Sequence, residues 1–259
     1  MQRPWSEVLT VDHVSVSLSG RTILWEVTFG LRVGEFCGLI GANGSGKTTL
    51  LRTILHFLKP DAGRVQFGRK NGPNGLPSIG YVPQKIAFDS TMPLRARDVV
   101  ALGLDGRRFG LPLPSRERHR LVSEMLAAVD AEGFADQRVG TLSSGQQQRV
   151  LIAHALVRQP RLLLLDEPLA SLDMRSAAEI VAVLRRLSAE NQITVLMSAH
   201  DMNPLLPVMD RVVYLANGRA ASGTTDDVIR TDVLSRLYGY HIDVVRVHGR
   251  VLVVAADAP

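Results

Sequence analysis

Residues 41–48, Gly41-Ala42-Asn43-Gly44-Ser45-Gly46-Lys47-Thr48, fit the spacing G-x-x-x-x-G-K-[ST] in full. Each residue type there has a chemical reason. Glycines at 41, 44 and 46 let successive backbone N–H groups curl around phosphate oxygens. A helix that starts where the loop ends points its positive end at the same anion. Lys47 then reaches the β- and γ-phosphates, and the Thr48 hydroxyl is placed to ligate Mg²⁺. Lys47 is one of four lysines in an arginine-rich chain, and a compact ammonium suits this position better than a guanidinium fork. The expected nucleotide-binding set is Gly41, Asn43, Gly44, Ser45, Gly46, Lys47, Thr48 and Thr49. The plainer reading is a glycine-rich turn joining a strand to a helix. The complete motif in a strand–turn–helix context favours the phosphate loop.

A second constellation lies far downstream. Leu162 to Leu165 are four apolar residues followed by Asp166 and Glu167. A buried strand ending in aspartate holds the Mg²⁺ shell in phosphate-loop enzymes. Neighbouring residues of a strand face opposite ways, so Glu167 reaches the γ-phosphate as general base only if the chain bends after the strand. Read alone, the run is equally a buried strand with a polar end. Thr141-Leu142-Ser143-Ser144-Gly145-Gln146-Gln147-Gln148-Arg149 precedes a helical pattern. Ser143 or Ser144 can cap that helix, which makes its start either a second anion site or an ordinary capped helix.

These groups need elements to hold them. Residues 8–16 and 27–31 read as strands, and 36–40 as a short apolar strand entering the glycine loop. Residues 48–58 carry helical spacing through Leu50, Leu51, Ile54, Leu55 and Leu58. Short strands are expected at 65–67 and 79–82, separated by a turn-rich loop over 68–77. Helical patterns dominate 93–159, over 94–102, 115–129 and 146–157, broken by a Gly/Pro stretch at 103–114. That span reads as a helical subdomain inserted into an α/β core. The core resumes with Leu162–Leu165, a helix over 176–190, and strands at 193–198 and 212–215, with Asn217-Gly218 as a hairpin turn. The tail alternates over 243–254 around His248-Gly249 and is expected to form a terminal β-hairpin.

Composition bounds the remaining possibilities. The chain has 259 residues, 46% apolar and 21% charged, which suits a globular protein with a substantial core and argues against disorder. One cysteine, Cys37, rules out an internal disulfide framework; its apolar surroundings predict a buried, inert thiol. No signal peptide is visible at the start, and no window reaches the ~18 apolar residues of a spanning helix. The net charge of +5 comes from scattered arginines, which reads as a solvated basic face rather than a nucleic-acid site. Seven histidines lack zinc-site spacing, so Mg²⁺ with ATP is the one metal expected.

Taken together, the phosphate loop, Gln84 after Tyr81-Val82-Pro83, the 142–146 segment, Asp166-Glu167-Pro168, Ser171-Leu172-Asp173 and His200 stand in the order and spacing of ABC-transporter ATPase domains. The resemblance covers about residues 8–231 and leaves 232–259 as a C-terminal extension. It implies an α/β phosphate-loop NTPase core with an inserted helical subdomain and an antiparallel β subdomain. It implies that Glu167 is the general base and His200 the switch histidine touching the γ-phosphate. Thr48, Gln84 and Asp166 would serve the metal. Ser143, Gly145 and Gln146 belong to the signature motif, which would bind ATP held by a second copy. Asp173 belongs to the D-loop at the dimer interface. Two departures stand out: Ser144 where the family usually has glycine, and Leu18 where an aromatic usually stacks on adenine. Serine at 144 works against close backbone approach to phosphate; the loss of π-stacking at Leu18 predicts weaker, less base-selective nucleotide binding, with Trp25 expected to pack in the core rather than to replace that aromatic.

The stretch from Ile79 through Met92-Pro93-Leu94 to Gly103 resembles the ATPase subunits of zinc and manganese importers, and also of iron-chelate importers. The resemblance implies a homodimer docked on a separate membrane permease at the cytoplasmic face of the membrane, served indirectly by a substrate-binding protein, with no nucleic acid involved. The competing readings are a non-transport ABC ATPase and a module that senses ATP without hydrolysing it.

Overall fold

The computed structural model describes residues 7–68, 78–84, 86, 88–105 and 115–255. Most of the turn-rich loop expected at 68–77 and of the Gly/Pro stretch at 103–114 lies outside the described residues.

The N-terminal strands β1 (Glu7–Leu18) and β2 (Arg21–Arg32) form a hairpin through Ser19-Gly20, both at positive φ (50° and 78°). Two consecutive left-handed residues match the twist of a tight hairpin. β1 buries Leu9, Val11, Val14 and Val16, an alternation that slips between Val11 and Val14. His13, at φ 49°, sits in that irregularity. An extra residue of this kind keeps both halves of the strand facing one core. β4 (Ala62–Phe67) pairs with the other edge of β1, giving a three-stranded antiparallel sheet in the order β2-β1-β4.

The central sheet follows from sequence runs with no polar alternation. β3 (Phe36–Ile40), β6 (Leu162–Leu165) and β7 (Thr194–Ala199) are buried along their whole length. Strands covered on both faces read as continuous apolar runs, and parallel sheets are built this way. The sheet order is β5-β6-β7-β3-β8-β9, with β5 (Ile79–Val82) at one edge and β8 (Arg211–Ala216) and β9 (Arg219–Gly223) at the other. All neighbours are parallel except β8 and β9, which turn at Asn217-Gly218 (φ 50° and 74°).

Alternate residues of these strands serve two cores. Phe36, Ile40, Leu163, Leu165, Val195 and Met197 join one. Cys37, Leu39, Leu162, Leu164 and Leu196 join the other, together with the inner face of β1–β2 and with Leu50, Leu51 and Ile54 of α1 (Lys47–Ile54). Cys37 is fully buried, and burial pushes its thiol well above the usual range, as an inert core residue requires. The first core continues into a helical layer made of α2 (Ala96–Asp105), α3 (Arg116–Ala128) and α4 (Ser144–Leu156), covered also by α5 (Met174–Asn191). Arg149 of α4 knits this layer together: its guanidinium reaches Val129 O (2.7 Å), Asp130 (3.2 Å) and Glu179 of α5 (3.0 Å). Many of the scattered arginines are paired in this way, among them Arg185 with Asp210 and Arg211 with Glu35.

Several elements differ from the sequence expectations. α1 stops at Ile54 because the chain turns left-handed at His56 (φ 59°), leaving Leu58 outside it. Trp25 is not a core residue: it is 48% exposed on β2, while its neighbour Leu24 is buried. Alternation along the strand decides this, since only one face of β2 meets the core. Two short helices, α6 (Thr225–Val228) and α7 (Thr231–Tyr238), were not anticipated in the sequence. β10 (Ile242–Val247) and β11 (Arg250–Ala255) close the chain as a two-stranded antiparallel sheet.

His154 makes the helical layer sensitive to pH near neutrality. Burial holds the His154 imidazole on α4 below its ordinary pKa. The unfolded chain therefore binds the proton more tightly than the folded one. The stability this supplies is complete above about pH 6.5 and declines as pH falls through the lower native value. Thermal melts between pH 7.5 and 5 are expected to fall less steeply for His154→Gln than for the parent chain. Parallel curves would remove His154 from the account.

Candidate active site

The phosphate loop joins β3 to α1, and its glycines are dictated by close approach. A methyl group at Gly41 would lie 2.4 Å from Leu215 O, and Gly46, at φ 105°, would press on Leu24. Backbone at such φ strains any other residue. Inside this loop the Ser45 hydroxyl is buried without a hydrogen-bond partner among the described residues. A buried orphan polar atom in a loop of N–H groups is chemically matched to an anionic oxygen. Asn43 and Gly44 stand exposed at the tip, while Thr48 and Thr49 are partly buried in the first turn of α1.

Lys47 is only 4% exposed. Its ammonium donates to Gly41 O (2.8 Å) and Ala42 O (3.1 Å) and pairs with Glu167 Oε1 (3.2 Å). From the other side, Gln84 Nε2 donates to Glu167 Oε2 (2.6 Å). The glutamate carboxylate is thus gripped between the phosphate-loop lysine and the glutamine that follows β5. Gln84 keeps its amide oxygen for another partner.

The bend needed to bring Glu167 here is visible in the backbone. Leu162 and Leu164 face the α1 side of the sheet, so the same alternation carries Asp166 toward the phosphate loop, and Asp166 is 1% exposed. Glu167 would then point away. Instead it takes φ 47°, a left-handed conformation that costs a non-glycine residue roughly 1–3 kcal/mol and clusters at functional sites. Its N–H is caught by Ser198 Oγ (2.8 Å), and the same hydroxyl donates to Asp166 Oδ1 (2.9 Å). Ser198 was not singled out as functional in the sequence. Its signal in the sequence is a polar residue near the C-terminal end of the buried run of β7, one place beyond Met197, which pairs with Leu165.

Ser198→Ala leaves both of these groups without their partner. A buried group so deprived costs about 1–3 kcal/mol. The expected result is a loss of that order in denaturant unfolding, with ATP turnover falling about tenfold as Glu167 relaxes. Unchanged turnover in a destabilised protein would reduce Ser198 to a core hydroxyl.

The remaining expected residues make no hydrogen bond to the phosphate loop or to Glu167 among the described residues. His200 follows β7, is exposed, and makes no hydrogen bond among the described residues. It lines a cleft of about 480 Å³ with Glu167, Leu172, Met174, Asn203 and Arg250. Ser143 caps α4 in a reciprocal arrangement: its hydroxyl accepts from Gln146 N (3.3 Å), and Gln146 Oε1 accepts from Ser143 N (2.9 Å). Each side chain is bonded to the other residue's backbone N–H rather than to any residue of the phosphate loop. A methyl group added at Gly145 would lie 3.2 Å from Ser176, the residue capped by Asp173. Those hydrogen bonds from Ser176 hold the Asp173 carboxyl below its ordinary pKa. Ser144 is the first residue of α4, exposed and with ordinary helical backbone. Nothing in this conformation demands glycine, so Ser144→Gly is expected to change ATP turnover by less than about threefold. A tenfold gain would show that the hydroxyl obstructs a phosphate.

Leu18, at the end of β1, is 40% exposed and so is free to cover a base by apolar contact. The donor set also fits a hard cation. Asp166, Thr48 and Gln84 offer oxygens, yet the described residues hold no group of three or more His, Cys, Asp or Glu. Such a set suits Mg²⁺, which completes its shell with phosphate oxygens and water, and does not suit a metal that requires an all-protein cage.

The ABC transporter family model matches residues 24–170. A zinc import ATP-binding protein, ZnuC, of Pseudomonas savastanoi pv. phaseolicola is 36% identical over 232 residues, covering 90% of this chain and 81% of that protein. A chelated iron transport system membrane protein, YfeB, of Yersinia pestis is 33% identical, covering 89% and 79%. A manganese transport system ATP-binding protein, MntA, of Synechocystis sp. is 34% identical, covering 89% and 90%. Among solved structures, an ABC transporter in an inward-facing conformation superposes with a TM-score of 0.81 at 23% identity, covering 97% of this chain and 98% of that one. The dimeric cassette MJ0796 bound to ADP and Pi superposes with a TM-score of 0.67 at 28% identity, covering 83% and 98%.

Proposed function

The chain belongs to the ABC transporter ATP-binding family, and on that premise we propose that it hydrolyses ATP to drive metal-ion import through a separate membrane permease. The observation that carries the enzymatic part is the convergence of Lys47 and Gln84 on Glu167, beside the buried Asp166. Lys47 binds the β- and γ-phosphates in this reading, and the loop N–H groups with Ser45 complete the cradle. Glu167 takes the proton from the attacking water. Asp166, Thr48 and Gln84 hold Mg²⁺, which when bound neutralises charge on the phosphate oxygens.

Two copies act together. The capped start of α4, with Ser143, Gly145 and Gln146, meets ATP held by the loop of the opposite copy, and Asp173 and His200 lie along that junction. The similarity to a cassette described as dimeric supports this arrangement. Within the chain, 8–231 forms the ATPase domain, 93–159 the inserted helical subdomain, and 232–259 the extension. The permease docks around residues 84–100, where Gln84 links the helical layer to the catalytic carboxylate. No described helix is long and apolar enough to cross a membrane. In this reading the chain sits on the cytoplasmic face of the membrane through its permease, with a substrate-binding protein acting at one remove.

Zinc or manganese is the cargo favoured by the similarity to zinc and manganese import proteins. The similarity to a chelated-iron system supports iron as the second reading. Vesicles holding the chain with its permease, loaded with ATP and offered zinc, manganese or chelated iron in turn, separate the two. Accumulation of zinc or manganese that stops in Glu167→Gln vesicles is the expected result. ATP turnover with none of the three accumulating would refute metal import while leaving the enzyme intact.

A further inference from the structure

The terminal hairpin has two unlike faces. In its register Ile242, Val244, Val251 and Val253 point one way and join the first core. The hairpin is fastened there. Asn203 Oδ1 accepts from Val251 N (2.8 Å), and Asn203 Nδ2 donates to Val251 O (3.1 Å). Arg246 pairs with Asp226 (3.0 Å). The opposite face carries the cross-strand pairs Asp243–Val254, Val245–Leu252 and Val247–Arg250. Its four aliphatic side chains are 42–50% exposed, in one continuous patch. Solvent-facing sheet positions are ordinarily polar, and a row of aliphatics there marks a contact surface.

We propose that this outer face is a second contact between two copies of the chain, formed on the same two-fold axis as the ATP-bound dimer. The inference rests on the dimer reading above and adds an element to it. Two observations select a second copy as the occupant. First, the face is continuous with the proposed junction: Arg250, at one end of it, lines the cleft that also holds Glu167, His200 and Leu172. Second, the face is self-complementary. Arg250, which has no ion-pair partner among the described residues, stands at one end, and Asp243 stands at the other. A two-fold axis through the central Val245–Leu252 pair lays aliphatic against aliphatic and brings Arg250 of each copy to Asp243 of its partner. Four half-exposed side chains cannot bury the ~1,200 Å² that a stable complex needs. The contact therefore extends the nucleotide-dependent interface, keeping the two cassettes at high effective concentration as they close.

The test uses the Glu167→Gln chain in Mg-ATP. The dimer dissociation constant is measured by sedimentation with the hairpin native and with Val245→Asp plus Leu252→Asp. Both positions are exposed, so the charges do not enter the core, and nucleotide affinity of the monomer serves as the folding control. In parallel, Leu252→Cys is treated with a short thiol cross-linker; the native Cys37 is fully buried and does not compete. A dissociation constant raised at least tenfold by the paired charges, together with covalent dimer from Leu252→Cys, is the expected result. An unchanged constant, or a formed dimer that does not cross-link, overturns the contact. Should the native-hairpin chain stay monomeric in ATP, the sandwich dimer is what fails. Cross-linking of Leu252→Cys at high protein concentration then decides the hairpin contact alone: covalent dimer sustains it and none overturns it.

Discussion

Glu167→Gln is expected to lower ATP turnover by about 100-fold or more while leaving ATP binding intact, because a general base typically supplies 10²–10⁴ in rate. The substitution is close to isosteric. Its one amide oxygen takes the place of only one of the two carboxylate oxygens that Gln84 and Lys47 reach, so the grip on the side chain is halved, while Ser198 Oγ still holds the residue 167 N–H and with it the left-handed backbone. What disappears is the capacity to take a proton from water. Binding without turnover means that the closed, ATP-loaded state accumulates instead of resetting. Steady phosphate release by Glu167→Gln near the parent rate would move the base to another group, with His200 the next candidate in the same cleft.

Lys47→Ala carries the second large effect, on binding rather than on chemistry. Charge-assisted hydrogen bonds are worth about 1.5–3 kcal/mol each, so losing the contacts to two phosphates predicts ATP affinity reduced by roughly 100-fold or more. The fold pays part of this change as well. Gly41 O and Ala42 O lose their donor, and Glu167, 12% exposed, loses its cation and keeps only Gln84. Lys47→Arg does not repair the site, because a 4%-exposed pocket shaped to an ammonium has no room for a planar fork. Titration with a fluorescent ATP analogue, alongside circular dichroism to confirm folding, measures the effect. Full affinity in Lys47→Ala would mean that the loop N–H groups alone hold the phosphates.

Much of this architecture could be read from residue patterns, and the exceptions share a cause. The runs at β3, β6 and β7 are legible because a strand covered on both faces reads as a nearly continuous apolar run. The phosphate loop is legible because steric and electrostatic demands act within eight consecutive residues. Asn217-Gly218 announces its turn for the same local reason. Ser198 escapes attention because its role depends on the register between β6 and β7, which no local pattern states. The left-handed turn at Glu167 is likewise invisible: a glutamate has no intrinsic preference for it, and the surrounding hydrogen bonds impose it. A large aromatic suggests burial at Trp25, whereas the alternation fixed by Leu24 turns it outward. Val251 and Asn203 meet only through the fold of the tail back onto the segment after His200.

If ATP joins two copies of this chain, the solution mass of Glu167→Gln by light scattering changes with Mg-ATP. A species near the 28.3 kDa of one chain is expected without nucleotide, and one of about twice that mass with it. A protein that binds ATP and keeps the single-chain mass at every concentration would overturn the ATP-bound dimer, since the capped start of α4 would then have no phosphate to meet.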